Sequence, residues 1–215
     1  MKKNIVIIDY GLCNLLSVFN ALRYLGVASV VSHDPASLKE ADAVILPGVG
    51  AFADGMQGLE NKNFIPAIHA YVKTGKPFLG ICLGMQMLMD KSYEFGEHQG
   101  LNLVEGEVVS FKNRFVDGKY DFKVPHIGWE GLCSHQVPWQ GTILRELKQG
   151  EFMYFVHSFF PVPKDEKHVL AKTSYAGIDF CSVIARENVY GCQFHPEKSA
   201  QHGLKILKNF VELTS

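Results

Sequence analysis

Lys76-Pro77-Phe78-Leu79-Gly80-Ile81-Cys82-Leu83-Gly84-Met85-Gln86 is the stretch from which the fold can be worked outward. Residues 77–81 are a short apolar run suited to a buried strand, and residues 83–91 carry a helical pattern. A strand that turns directly into a helix is part of a βαβ unit. The same alternation precedes it. Residues 5–9 read as a strand, and residues 14–25 as a helix, with Leu15, Val18, Phe19, Leu22 and Leu25 at helical spacing and Gly26 as its stop. Residues 28–31 and 43–46 read as strands, and residues 64–74 as a helix stopped by Gly75. This pattern predicts an α/β fold with an open, mostly parallel central sheet and flanking helices.

The C-terminal half is β-rich. Residues 103–111, 152–159, 169–175 and 180–185 read as strands, and Glu187-Asn188 as a hairpin turn into residues 189–194. These are expected to add antiparallel strands to the parallel core. Ser199 is expected to cap a last helix that runs to about Leu213. With no repeat, low-complexity segment or Pro/Gly/Ser linker, residues 1–215 are read as one domain.

The bulk numbers exclude several classes. The 215 residues are 47% hydrophobic, enough for one sizeable core. A net charge of −1 gives no basic surplus for nucleic acid and no acidic tail. No apolar run approaches the roughly 18 residues of a membrane span. The apolar run that opens the chain is too short for a secretory leader and is interrupted by Asp9. Cys13, Cys82, Cys133, Cys181 and Cys192 are odd in number and scattered, so they are expected as reduced thiols in a cytoplasm. The histidines and cysteines show no metal-ligand spacing, so no metal is expected. The Gly48-Val49-Gly50 turn lacks both a dinucleotide fingerprint and a Walker lysine, and no cofactor is expected either.

Three local patterns carry chemistry. Gly80-Ile81-Cys82-Leu83-Gly84 has the form of a nucleophile elbow with cysteine at its apex. A tight strand-to-helix turn lifts the sulfur above the sheet edge, and glycines leave room for the backbones to approach. The helix N-terminus beyond it favours thiolate, the reactive form. Taken alone, the pattern equally describes a buried cysteine between turn glycines. The second pattern is His195-Pro196-Glu197, at the end of an apolar strand. In extended chain, residues two apart share a face, so the carboxylate can orient and charge the imidazole. The third is Pro47–Phe52, a glycine-containing loop after a strand. Backbone N–H groups of Val49 or Gly50, together with that of Leu83, are candidate donors to an oxyanion.

Gly80–Gln86 and Phe194–Glu197 together resemble the class I, triad-type glutamine amidotransferases, and the likeness covers nearly the whole chain. Within that class, Pro47–Phe52, Val124–Trp129, Tyr154–Phe159 and Gln193–Ser199 resemble the glutaminase subunits of imidazole glycerol phosphate synthase. The resemblance implies a Cys82–His195–Glu197 triad that releases ammonia from glutamine. It implies substrate-binding roles for Gln86, Glu94, Ser158 and Phe159, and partner contacts at Trp129, Tyr154, His157 and Lys198. It also implies a (β/α)₈-barrel synthase partner, forming a heterodimer, that takes ammonia through its interior to make imidazole glycerol phosphate and AICAR in histidine biosynthesis. One position departs from the family pattern: Gly128-Trp129 is followed by Glu130 where the family usually has asparagine. Other readings share the fold: a paralogous ammonia-supplying subunit for surface-polysaccharide sugars, a stand-alone γ-glutamyl hydrolase or peptidase, and a regulatory subunit with a dead site.

Overall fold

The computed structural model describes residues 3–114 and 122–214. Its first half runs β1 (Ile5–Ile8), α1 (Leu15–Tyr24), β2 (Ser29–Ser32), β3 (Ala43–Gly48), α2 (Phe52–Asn61), α3 (Phe64–Val72), β4 (Phe78–Cys82) and α4 (Leu83–Gln86). Short strands follow: β5 (Lys91–Ser92), β6 (His98–Gln99), β7 (Gly106–Ser110), β8 (His126–Gly131) and β9 (Cys133–Ser134). The chain ends with β10 (Phe152–His157), β11 (Phe159–Pro163), β12 (Val169–Tyr175), β13 (Ile178–Arg186), β14 (Val189–Cys192) and α5 (Ala200–Glu212).

Among the described residues, the central sheet has the order β2-β1-β3-β4-β14-β13-β12-β9. Pairing is parallel from β2 through to β14 and antiparallel from β14 to β9. This is the mixed α/β sheet expected from the alternation of elements. Two small sheets, β10-β8 and β11-β7-β5-β6, stand beside it.

The inner parallel strands β1, β3, β4 and β14 are buried on both faces because both faces are covered, while the edge strand β2 leaves Val30 and Val31 exposed. Ile5, Ile7, Ala43, Ile45, Leu79 and Ile81 pack in one core with Val18 and Leu22 of α1 and with Ile206, Leu207 and Phe210 of α5. The alternate residues Val6, Ile8, Val44, Leu46 and Phe78 pack in a second core with Phe52 and Leu59 of α2 and Phe64 and Ile68 of α3. A one-residue slip of any of these strands would exchange its contributions to the two cores.

Three local expectations differ from the structure. The helix expected over residues 83–91 is a single turn, α4. Met87, Leu88 and Met89 are all fully buried, and the carbonyls of Met87 and Leu88 accept N–H groups from Leu101, Leu103 and Val104 instead of continuing a helix. The helix α2 was not expected: Gly55 and Gly58 lower its propensity, and packing against Leu83, Met87 and Tyr10 holds it. Ser199 precedes α5 but does not cap it. Its hydroxyl donates to the His195 carbonyl and accepts the Tyr154 N–H, so tertiary contacts have taken the capping oxygen.

Candidate active site

β4 lies between β3 and β14, so its C-terminal end opens into the crevice where loops from parallel strands converge. Cys82 sits at that end with φ +53° and ψ −108°, a backbone conformation rare for any residue with a side chain. The turn is over-determined by packing. A β-carbon on Gly84 would lie 1.8 Å from the Leu46 carbonyl oxygen, and one on Gly80 would lie 2.6 Å from the Gly84 oxygen. With α4 only four residues long, little helix dipole is available to favour thiolate, and that task falls to side chains.

His195 follows β14, the strand paired directly with β4. Its backbone is pinned on both sides: its N–H donates to the Tyr154 carbonyl at 3.0 Å and its carbonyl accepts the Ser199 hydroxyl at 2.6 Å. The short turn Pro196–Lys198, rather than extended chain, brings Glu197 back to the ring. His195 Nδ1 donates to Glu197 Oε1 at 2.8 Å, with both side chains buried. Burial by itself would lower the affinity of the ring for a proton. Side-chain hydrogen bonds to Cys82 and Glu197, and the charges of both, outweigh it and hold the imidazole well above its ordinary pKa. A ring held protonated beside a cysteine and braced by a carboxylate has the parts that a sulfur nucleophile and its general acid require.

The sulfur opens into a pocket of about 310 Å³. The expected substrate-side residues Gln86, Glu94, Ser158 and Phe159 all line it. Glu94 Oε2 accepts the Phe52 N–H at 2.7 Å, anchoring the start of α2. Burial raises the Glu94 pKa, and that hydrogen bond partly offsets the rise. Gln86 is held from behind: its Nε2 donates to the Phe159 carbonyl at 2.9 Å and to Gln193 Oε1 at 3.1 Å. Val49 and Gly50 also line the pocket, and Leu83 opens α4 with an N–H that has no acceptor within the helix. The Val49 N–H, however, points away and donates to the Leu12 carbonyl at 3.2 Å. In this conformation it is not an oxyanion donor.

The four residues expected at a partner surface divide. Trp129 is half exposed, Tyr154 packs its ring 5.7 Å from it, and Lys198 is exposed at the pocket rim. His157 belongs elsewhere. It is buried on the pocket wall, with Nδ1 bonded to the Phe159 carbonyl and Nε2 3.2 Å from His126 Nδ1. Strand alternation puts it on the inner face of β10, which the sequence pattern alone did not separate from the outer one. Glu130 lies 3.8 Å from His126 Nε2, so the departure from asparagine faces a buried histidine rather than the exposed Ile127 and Trp129. Two residues at the site were missed in sequence. Gln193 and Ser199 flank His195 and are fully buried polar side chains, and a glutamine inside the apolar run of residues 189–194 was the available signal.

Among the described residues, no group of three or more metal-ligating side chains forms, and no helix is long and apolar enough to cross a membrane.

Residues 6–213 match the family described as glutamine amidotransferase class-I. The chain belongs to that family and is a glutamine amidotransferase enzyme subunit. The chain is 49% identical over 212 residues to imidazole glycerol phosphate synthase subunit HisH 1 of Legionella pneumophila strain Lens, covering 98% of this chain and 99% of that protein. It is 50% identical over 206 residues to the HisH subunit of Aquifex aeolicus, covering 95% and 94%. Among solved structures, it is similar in fold to PurLQS of Thermotoga maritima, with TM-score 0.72, 20% identity and full coverage of both chains. It is also similar in fold to a glutamine amidotransferase of Thermotoga maritima, with TM-score 0.63, 18% identity and coverage of 99% and 85%.

Proposed function

We propose that this chain is the glutaminase subunit of an imidazole glycerol phosphate synthase, acting in the cytoplasm as one domain and passing ammonia to a (β/α)₈-barrel partner for histidine biosynthesis. The observation that carries the chemistry is the buried His195–Glu197 pair, at 2.8 Å, whose imidazole shares one pocket with the strained Cys82. The names borne by relatives that match nearly the full chain favour the histidine pathway over a polysaccharide paralogue or a stand-alone hydrolase.

In this mechanism the Cys82 thiolate attacks the side-chain amide carbon of glutamine. His195 gives its proton to the departing nitrogen, ammonia leaves, and a γ-glutamyl thioester remains. Neutral His195 then takes a proton from water as the water adds to the thioester. The C–S bond breaks, glutamate leaves, and thiolate and imidazolium are restored. Glu197 holds the ring orientation and its charge throughout. Leu83 N–H is one oxyanion donor. A second is to come from the Val49–Gly50 segment once its Val49 N–H leaves Leu12. Trp129, Tyr154 and Lys198 form the docking face, consistent with the exposed aromatic surface around Ile127 and Trp129.

The test is glutamine hydrolysis by the isolated chain and by its complex with the synthase partner, for the parent sequence and for Cys82→Ala. Cys82→Ala should bind the partner and hydrolyse nothing, while alanine at the other four cysteines leaves turnover largely intact. Full hydrolysis by Cys82→Ala would overturn the assignment.

A further inference from the structure

Gln193 is fully buried, lies at the end of β14 two residues before His195, and is not needed for the sheet: its backbone N–H continues the pairing to β13 by donating to Ser182. Burying a carboxamide costs free energy unless its polar atoms are matched, and an apolar side chain would fill the same space without that cost. What the side chain does is fixed by one carbonyl. The Phe159 oxygen can only accept, so the Gln86 atom 2.9 Å from it is nitrogen. The second N–H of Gln86 then requires an acceptor at 3.1 Å, which makes that atom Oε1 of Gln193. The remaining Gln193 atom is therefore the amide nitrogen, and it lies 3.8 Å from Cys82 Sγ. Neither amide can flip without setting like poles against each other. His157 Nδ1–H, the second donor to the Phe159 oxygen at 2.9 Å, holds that carbonyl in place.

We infer that Gln193 is a catalytic residue: its oriented Nε2–H is a fixed donor to the Cys82 sulfur that stabilises the thiolate, both before attack and as the leaving group when the thioester is hydrolysed. The inference rests on the Cys82 mechanism above and deepens it. When water adds and the C–S bond breaks, the electron pair returns to sulfur, where this N–H already points; no proton moves to or from Gln193. A hydrogen bond to a charged acceptor is shorter and stronger than to a neutral one, so the 3.8 Å contact tightens on the anion. The donor is preorganised by two buried residues, so no side-chain reordering accompanies the charge change.

The other titratable groups around the sulfur are Tyr10, His195 and Glu197, with Glu94, His157 and Lys198 along the pocket wall. None is altered by the test. The rate of Cys82 alkylation by iodoacetamide is followed by site-resolved mass spectrometry across pH, for the parent chain, Gln193→Met and Gln193→Glu. Methionine fills the space without a donor; glutamate sets a carboxyl oxygen where the N–H was. A hydrogen bond to a charged group corresponds to about one to two pH units, so the alkylation midpoint should rise by at least about one unit in Gln193→Met, and further in Gln193→Glu. Glutamine kcat should fall about tenfold or more with KM little changed. If Gln193→Met does not fold, Gln86→Leu leaves Gln193 free to flip and should give a smaller rise in the same direction. An unmoved midpoint in these variants overturns the inference, even where Cys82 remains essential for glutamine hydrolysis. Hydrolysis surviving in Cys82→Ala would instead remove the mechanism on which it rests.

Discussion

Glu197→Gln isolates the charge that holds the catalytic imidazole. The substitution keeps the shape and an oxygen for the His195 Nδ1–H, 2.8 Å away, but removes the carboxylate charge. Both side chains are almost fully buried, at 5% and 2% exposure, so water does not take over the lost interaction. A charge-assisted hydrogen bond of this kind is worth about 1.5–3 kcal/mol, which is about one to two pK units on the ring. The active form needs protonated His195 beside thiolate, and the ring is protonated below its raised pKa. Removing Glu197's charge lowers that pKa, so the alkaline limb of kcat/KM for glutamine should move down by about one to two pH units. The acid limb should move much less. Peak kcat should fall by roughly 10²–10⁴ because the neutral amide no longer stabilises the imidazolium. Stability follows the same sign. A histidine with a raised folded pKa contributes stability in full below its unfolded pKa of about 6.5 and loses it as pH rises through the folded value. The variant should therefore be destabilised most at or below that pH, by about 1–3 kcal/mol in urea titration. The assay is the pH–rate profile of the partner complex at saturating acceptor. An alkaline limb that coincides with that of the parent would refute the claim that Glu197 sets the imidazole's charge.

Gly84→Ala should abolish activity and lower stability by about 3 kcal/mol or more, because its β-carbon would lie 1.8 Å from the Leu46 carbonyl; a soluble, active variant in thermal melts and assays would show that the elbow is softer than its packing implies. With the Val49 N–H held by Leu12, the isolated chain should turn over slowly, and partner plus nucleotide substrate should raise kcat by roughly 10²–10³; equal rates for the chain by itself, with empty partner and with loaded partner would exclude this gate. Burial depresses the pKa of His126 to about 4 and that of His157 to about 3, so the unfolded chain binds more protons as pH falls below about 6.5 and stability declines. Each of the two should contribute a slope of up to about 1.4 kcal/mol per pH unit between pH 6.5 and 4, and His126→Phe should flatten the decline measured by urea unfolding; parallel slopes would count against buried neutral histidines.

Much of this protein is written locally. Apolar runs at 5–8, 43–46 and 77–81, alternating with helices, specified the parallel sheet because strands covered on both faces have no polar face to show. The Gly80–Gly84 spacing is legible for a similar reason: the elbow is formed within five residues, and its glycines are required by approaches inside that turn and to the neighbouring strand. His195 and Glu197 are close in sequence, so their pairing could be expected, although a 3₁₀ turn rather than extended chain achieves it.

The remaining features depend on contacts between distant segments, which no local pattern encodes. Val49's N–H is turned from the pocket because Leu12, after β1, accepts it. The helix after Cys82 is not continued beyond one turn because the next carbonyls, of Met87, Leu88 and Met89, accept N–H groups from residues 101–104. His157 is a pocket-wall residue and not a surface one because β10 turns that face inward against His126 and Phe159. The direction of the Gln193 amide follows from Gln86, 107 residues away, and from Phe159. A sequence determines which groups can donate and accept. Which donor meets which acceptor in a buried site is decided when the tertiary structure excludes water and leaves each polar atom only the partners within reach.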